Sequence, residues 1–119
     1  MQHLHTGQSG EQLAVSYLEQ KRYTILARNW KDERCEIDII ARKDGVIVFV
    51  EVKTRTGARY GWPEDAVSPA KQEKIANAAE AFLIEKGLDT EIRFDIISVI
   101  QAGDKPKIYH IQDAFAPEG

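Results

Sequence analysis

The dipeptide Asp44-Gly45 stands between two runs that both read as strands, and it restricts the fold more than any other feature of the chain. Asp-Gly favours a two-residue turn with both residues at positive φ, the turn whose twist matches a hairpin. Before it, Glu36–Arg42 alternates charged and branched apolar residues; after it, Val46–Thr54 is dominated by β-branched residues. Counting outward from the turn sets Lys43 against Val46, Ile40 against Phe49, Asp38 against Glu51 and Glu36 against Lys53. Side chains alternate along a strand. Glu36, Asp38, Glu51 and Lys53 therefore share one face, and Ile37, Ile39, Val50 and Val52 turn the other way into a core.

Asp38 opposite Glu51 is the informative pair. Directly opposed residues have β-carbons about 4.5–5.5 Å apart, and like charges there destabilise a sheet. Asp also has poor strand propensity. Two carboxylates converging at that distance suit a hard cation with oxygen ligands, Mg²⁺ or Mn²⁺, with the Val52 carbonyl available as a third ligand. Lys53, one pleat further along the same face, can offset charge on a phosphate. The competing reading is a solvated face of alternating charges, which accounts for Glu36 beside Lys53 but not for Asp38 beside Glu51.

The rest of the chain supplies the frame. Ser9-Gly10-Glu11-Gln12 fits a capping box, and Leu13, Ala14, Tyr17 and Leu18 follow at helical spacing, so a helix is expected from about Gly10 to Lys21. Tyr23–Trp30 reads as a strand. Ser68-Pro69 opens a second helix with a buried face of Ile75, Ala78, Ala79, Phe82 and Leu83, and Gly87 ends it. Glu91–Ile100 and Lys107–Ile111 read as two more strands. The order α-β-β-β-α-β-β implies an α/β fold, a mixed sheet flanked by helices. Residues 1–119 read as one domain, with 1–8 a flexible lead-in.

Charge and composition narrow the function. The net charge of −3 speaks against a strongly basic nucleic-acid binder. Its distribution is uneven: Arg28 to Lys74 holds ten basic residues against nine acidic, and Ile75 onward four against eight. The loop after the Lys53 strand adds Arg55, Arg59, Tyr60 and Trp62, which suit phosphates and exposed bases; Trp62 beside Pro63 also fits packing under a loop. Lys71 sits in the first turn of the second helix, where an acid is preferred. It suits either a phosphate shared with the helix terminus or a salt pair with Glu64 or Asp65. Asp95 with Arg93 reads as a structural ion pair. No run approaches the about 18 apolar residues of a membrane span, and the N-terminus lacks a signal pattern, so the cytoplasm is expected. Cys35 is the one cysteine, which excludes an internal disulfide and a thiolate zinc cage.

At these residues a family comes into view. Asp38 followed by Glu51-Val52-Lys53 after a hairpin resembles the PD-(D/E)XK nuclease signature. A wider pattern includes Gly10-Glu11, Ala27-Arg28-Asn29-Trp30, Glu36-Ile37-Asp38, Phe49-Val50-Glu51-Val52-Lys53-Thr54-Arg55, Lys71 and Arg93-Phe94-Asp95. Over nearly the whole chain it resembles the YraN-like bacterial family, uncharacterised protein family 0102, described as predicted endonucleases similar to archaeal Holliday junction resolvases.

That resemblance implies a restriction-endonuclease-like sheet and a Mg²⁺- or Mn²⁺-dependent endonuclease acting on DNA, branched DNA included, with pairing into a homodimer. It makes Asp38 and Glu51 metal ligands, Lys53 the catalytic lysine, Glu11 the helix-borne glutamate of the site, and Glu36 a supporting carboxylate. Read from the residues alone, Glu11 is equally an ordinary first-turn acid. The family has Gly where this chain has Cys35; a β conformation as a small, mostly buried hydrophobe is expected for it. A nucleic-acid-binding module without turnover and a protein-interaction scaffold are the alternatives to a nuclease.

Overall fold

In the computed structural model, which describes residues 9–33, 35–56, 67–101 and 105–116, Asp44 and Gly45 both take positive φ, 53° and 80°. They form the expected tight turn. The elements in chain order are α1 (Gly10–Gln20), β1 (Thr24–Lys31), β2 (Glu36–Lys43), β3 (Val46–Thr56), α2 (Pro69–Lys86), β4 (Glu91–Gln101) and β5 (Lys107–Ile111). This is the α-β-β-β-α-β-β order, and the described strands form one mixed sheet in the order β1-β2-β3-β4-β5. β3 and β4 run parallel, and the other neighbours are antiparallel. A parallel step needs a long crossover; α2 supplies it and so starts beside the far end of β3.

The helices cover opposite faces. Ala14, Val15 and Leu18 of α1 pack with Ile39, Ala41, Val48, Val50, Ile97 and Val99. Ile75, Ala78, Ala79 and Phe82 of α2 pack with Ile40, Ile47, Phe49, Phe94 and Ile96. Each fully buried Phe or Leu contributes about 1.5–3 kcal/mol, and Phe49, Phe82 and Leu18 are among the largest fully buried side chains. Ile39, Val50 and Val52 lie together as the hairpin register requires, but Ile37 joins the α2 side. There β2 has left β3 and is paired only with β1, so strand twist is free to turn it.

Both helix starts are capped by serine. Ser9 Oγ accepts the Gln12 N–H at 3.0 Å and Ser68 Oγ the Lys71 N–H at 3.2 Å. The capping box at α1 is only half made: the Gln12 side chain bonds Ser16 and Arg28 instead of turning back to Ser9. Gly87, at φ 64°, ends α2 in the left-handed conformation expected of a helix-stopping glycine.

α1 lies unusually close to β3 at its first residue. A β-carbon on Gly10 would collide with Thr54 Oγ1, with Thr54 Cβ at 3.1 Å. This approach fixes the height of Glu11, the next residue, over the sheet.

At the other end, Asp95 is fully buried and saturated. Arg93 Nε and Nη2 donate to its two oxygens at 2.8 and 2.9 Å, His110 Nε2 lies at 2.7 Å and the Asp113 N–H donates at 2.9 Å. Burial alone would raise its pKa, but the His110, Arg93 and Asp113 hydrogen bonds outweigh it and hold it below the usual range. Arg93 also donates to Tyr23, tying the expected Arg93–Asp95 pair to the start of β1.

Gly10→Ala is expected to lower stability by about 1–3 kcal/mol through overpacking; urea titration measures it, and Thr54→Ala in the same background recovers part. Asp95→Asn is expected to lower stability by about 3 kcal/mol at pH 7, since it strands a charged Arg93. Because Asp95 is depressed on folding, the loss is full above about pH 3.9, the unfolded value, and shrinks as pH falls below it toward the lower folded value. Thermal melts between pH 3 and 7 follow the trend.

Candidate metal centre

β2 and β3 stay paired only as far as Ile39 and Val50. One step on, where the register sets Asp38 against Glu51, Asp38 Oδ2 accepts the Val52 N–H at 2.8 Å. A side-chain carboxylate thus replaces the next ladder bond where the strands part. The N–H and C=O of one strand residue leave on the same edge, so the Val52 carbonyl faces the same opening.

Glu51 follows Phe49 on the α2 side and its side chain is only 8% exposed. Its Oε2 holds two ammonium groups, Lys71 Nζ at 2.8 Å and Lys53 Nζ at 3.5 Å. Lys53 comes from the same strand, two residues on. Lys71 comes from the first turn of α2, which the β3–β4 crossover delivers to this spot. Its hydrogen bond to Glu51 raises the Lys71 pKa and keeps the ammonium charged.

Asp38 is pushed up to about 6, first by burial, with Glu51 and Glu11 adding repulsion and the Val52 N–H opposing. Glu11 is therefore electrostatically part of the site. Its Oε1 accepts Asn29 Nδ2 at 3.1 Å, while its Oε2 is buried with no hydrogen-bond partner and Arg28 Nε 3.9 Å away. Asn29, in β1, takes φ 52°, a conformation in which Asn is among the more tolerant residues. An open cleft of about 410 Å³ adjoins the acids, lined by Cys35, Glu36, Asp38, Ser68, Ala70, Lys71 and Lys74.

These residues fit a hard divalent cation. The donors are carboxylate and carbonyl oxygens, and Glu11 Oε2, ion-paired with Arg28 at 3.9 Å but without a hydrogen-bond partner among the described residues, is a buried acceptor that a cation or its water would satisfy. Among the described residues no three His, Cys, Asp or Glu side chains are gathered closely enough to form a metal cage. Mg²⁺ needs none, since it commonly binds through one or two carboxylates and keeps several waters.

A family model described as "Uncharacterised protein family UPF0102" matches residues 10–99. A UPF0102 protein of Flavobacterium psychrophilum is 46% identical over 114 residues, 96% of each chain. One from Geobacter metallireducens is 51% identical over 110 residues, covering 92% of this chain and 90% of its own. The chain belongs to UPF0102. The span matched to UPF0102 runs from the start of α1 into β4 and so contains Glu11, Asp38, Glu51, Lys53 and Lys71.

Of the residues expected from sequence, the structure brings Asp38, Glu51, Val52 and Lys53 together and ties Glu11 to them. Glu36 is not Lys53's facing neighbour. It pairs with Lys31 of β1, is exposed and lines the cleft, because β2 has already left β3. Lys71 pairs with Glu51; the expected partners Glu64 and Asp65 lie outside the described residues, as do Arg59, Tyr60, Trp62 and residues 1–8. Arg55 lies on β3 two residues beyond Lys53, its Nε buried with no hydrogen-bond partner among the described residues. Cys35 does not take the positive φ that would require glycine and is only half-buried, just ahead of β2, its N–H donating to Asp32 at 3.0 Å. The Lys71–Glu51 pair was missed as such. The available signal was a lysine in a first helical turn that contains no acid.

Asp38→Asn is expected to raise the melting temperature of the metal-free protein at pH 8. Asn keeps an acceptor for the Val52 N–H and removes a half-buried charge repelled by Glu51 and Glu11. Because Asp38 is raised on folding, the wild type loses stability as pH climbs from about 4 through about 6. The advantage of the variant should therefore vanish toward pH 4. Melts in EDTA across that range decide it, and no gain at pH 8 contradicts the assignment.

Proposed function

We propose that this chain is a metal-dependent endonuclease that hydrolyses phosphodiester bonds in structured or branched DNA, with Mg²⁺ or Mn²⁺ held by Asp38, Glu51 and the Val52 carbonyl. The observation that carries the reading is the half-buried Asp38 beside the buried Glu51 at the parting of β2 and β3, with two lysines on Glu51. A pair of like charges placed there destabilises the sheet, and a divalent cation converts that repulsion into binding. The UPF0102 description assigns no reaction, so the reading rests on the chemistry of these residues.

A cation held by Asp38, Glu51 and the Val52 carbonyl would supply positive charge against a phosphate and Lewis acidity toward the attacking water. Asp38, its carboxylate oriented by the Val52 N–H, fixes where that charge lies. Lys53 is held 3.5 Å from Glu51 Oε2 and directs a second positive charge to the same place, suited to the growing charge of a phosphodiester under attack. Glu11, anchored by Asn29, offers Oε2 as an acceptor for a water proton. Arg55, with Arg59 and Tyr60 from the following loop, would hold the DNA backbone and a base. The net charge of −3 disfavours tight binding by one copy, and a homodimer would double the basic middle of the chain. Such a reaction belongs in the cytoplasm; among the described residues no helix is long and apolar enough to cross a membrane.

Glu51 Oε2 is already held by the Lys53 and Lys71 ammonium groups, which favours one rival, a DNA-binding module without turnover. Purified protein with Mg²⁺ or Mn²⁺ should nick at least one of linear, flapped and four-way DNA. Lys53→Ala should reduce the rate about 10²–10³-fold while leaving the fold intact. Salt-dependent binding without cleavage supports the rival; neither binding nor cleavage rejects both.

A further inference from the structure

Two lysines share Glu51 Oε2, and they are not equivalent. Lys53 is anchored on β3 two residues from Glu51, with a side chain 25% exposed. Lys71 makes the shorter contact, 2.8 Å, from the first turn of a separate helix, yet its side chain is 41% exposed and lines the open cleft. The cleft also presents Ser68, Lys74 and the exposed Glu36 beside Asp38. Lys71 thus stands between two environments: a buried carboxylate oxygen, and the open space of the cleft beside Asp38.

We infer that Lys71 is a placeholder for the metal, neutralising Glu51 in the metal-free protein and released into the cleft when a divalent cation takes that carboxylate. The inference rests on the metal-centre reading above and extends it to a positioning residue. A dication on Glu51 and an ammonium on the same oxygen repel each other, and burial of Glu51 leaves little water to screen them. The flexible four-carbon stem of lysine lets the ammonium leave without moving α2. Without DNA, Glu36 on the cleft wall offers it another carboxylate; with DNA, the phosphate beside the metal does. Metal binding and phosphate binding are thereby coupled: the cation that needs Glu51 frees the lysine that the substrate needs. Lys53, tied to the same strand as Glu51, stays.

Calorimetric titration of Mn²⁺ into wild type and Lys71→Met, without DNA, tests this. Met keeps the apolar stem and removes the competing charge, so Mn²⁺ should bind roughly fivefold tighter, the worth of a partly exposed ion pair. Lys71→Arg should restore the wild-type affinity. In Ca²⁺, DNA binding by Lys71→Met should weaken and its salt slope fall by about one phosphate contact. A second measurement needs no variant: acetylation of Lys71 in the wild type, followed by mass spectrometry, should speed up when Mn²⁺ is added while that of Lys53 does not. Mn²⁺ binding that is unchanged or weaker in Lys71→Met, or Lys71 acetylation indifferent to Mn²⁺, overturns the placeholder role and leaves the metal centre standing. No Mn²⁺ binding by either protein overturns both; binding by Lys71→Met alone supports the placeholder strongly.

Discussion

Ile39 and Val50 are the last residues that β2 and β3 share, and the single Val52 N–H to Asp38 bond beyond them decides what the opening between the strands becomes. A sheet that simply frayed there would leave backbone donors to water. Here a side chain takes the ladder's place, so the opening is lined by oxygen: the Asp38 carboxylate on one side and the Val52 carbonyl and Glu51 on the other. β1 stays with β2 past the parting, through the Trp30–Ile37 and Lys31–Glu36 steps, which keeps Asp38 from swinging away. β4 stays with β3 through Thr56–Gln101 and does the same for Glu51 and Lys53. Each half of the site is braced by its outer neighbour, and the gap between them is what the fold leaves over.

The helices complete this arrangement for topological reasons. Parallel pairing of β3 with β4 requires the chain to return along the sheet, so α2 must begin near the end of β3 where Glu51 and Lys53 lie. Its first turn brings Lys71 to Glu51. α1 approaches from the opposite face, and the Gly10–Thr54 contact sets how near Glu11 can come. The absence of a side chain at Gly10 is thus a positional requirement on Glu11 as well as a packing one.

Much of this was legible in the sequence because hairpin counting is strict. A two-residue Asp-Gly turn with alternating strands leaves one register, and the observed ladder follows it from Lys43–Val46 to Ile39–Val50. The same counting failed beyond Ile39, since it assumes that strands remain paired and cannot see where they separate: Asp38 reaches the Val52 N–H by its side chain and is not a ladder partner of Glu51. Glu36 was therefore set against Lys53 when it belongs to β1's side. The swap of Ile37 to the other face has the same cause. Lys71 and Asn29 were illegible for a different reason. Their partners, Glu51 and Glu11, lie twenty and eighteen residues away, and only the packed helices set those distances. Local rules marked Lys71 as misplaced for a helix start, but not what it was placed for.

Asp38 and Asp95 make the strongest contrast within the sheet. Asp95 is fully buried and Asp38 half-buried, and desolvation alone would raise both pKa values. Asp95 receives two Arg93 donors, His110 and a backbone N–H, and its pKa falls below the ordinary value. Asp38 receives one backbone N–H, faces two further carboxylates, and rises to about 6. A fold that can surround one buried carboxylate with donors is not short of means to do the same for another. Stability alone would favour a second Arg beside Asp38, or an apolar residue in its place. Asp38 instead keeps a single backbone donor and Glu11 Oε2 only an Arg28 nitrogen 3.9 Å away, a donor set that the proposed small, hard cation would complete.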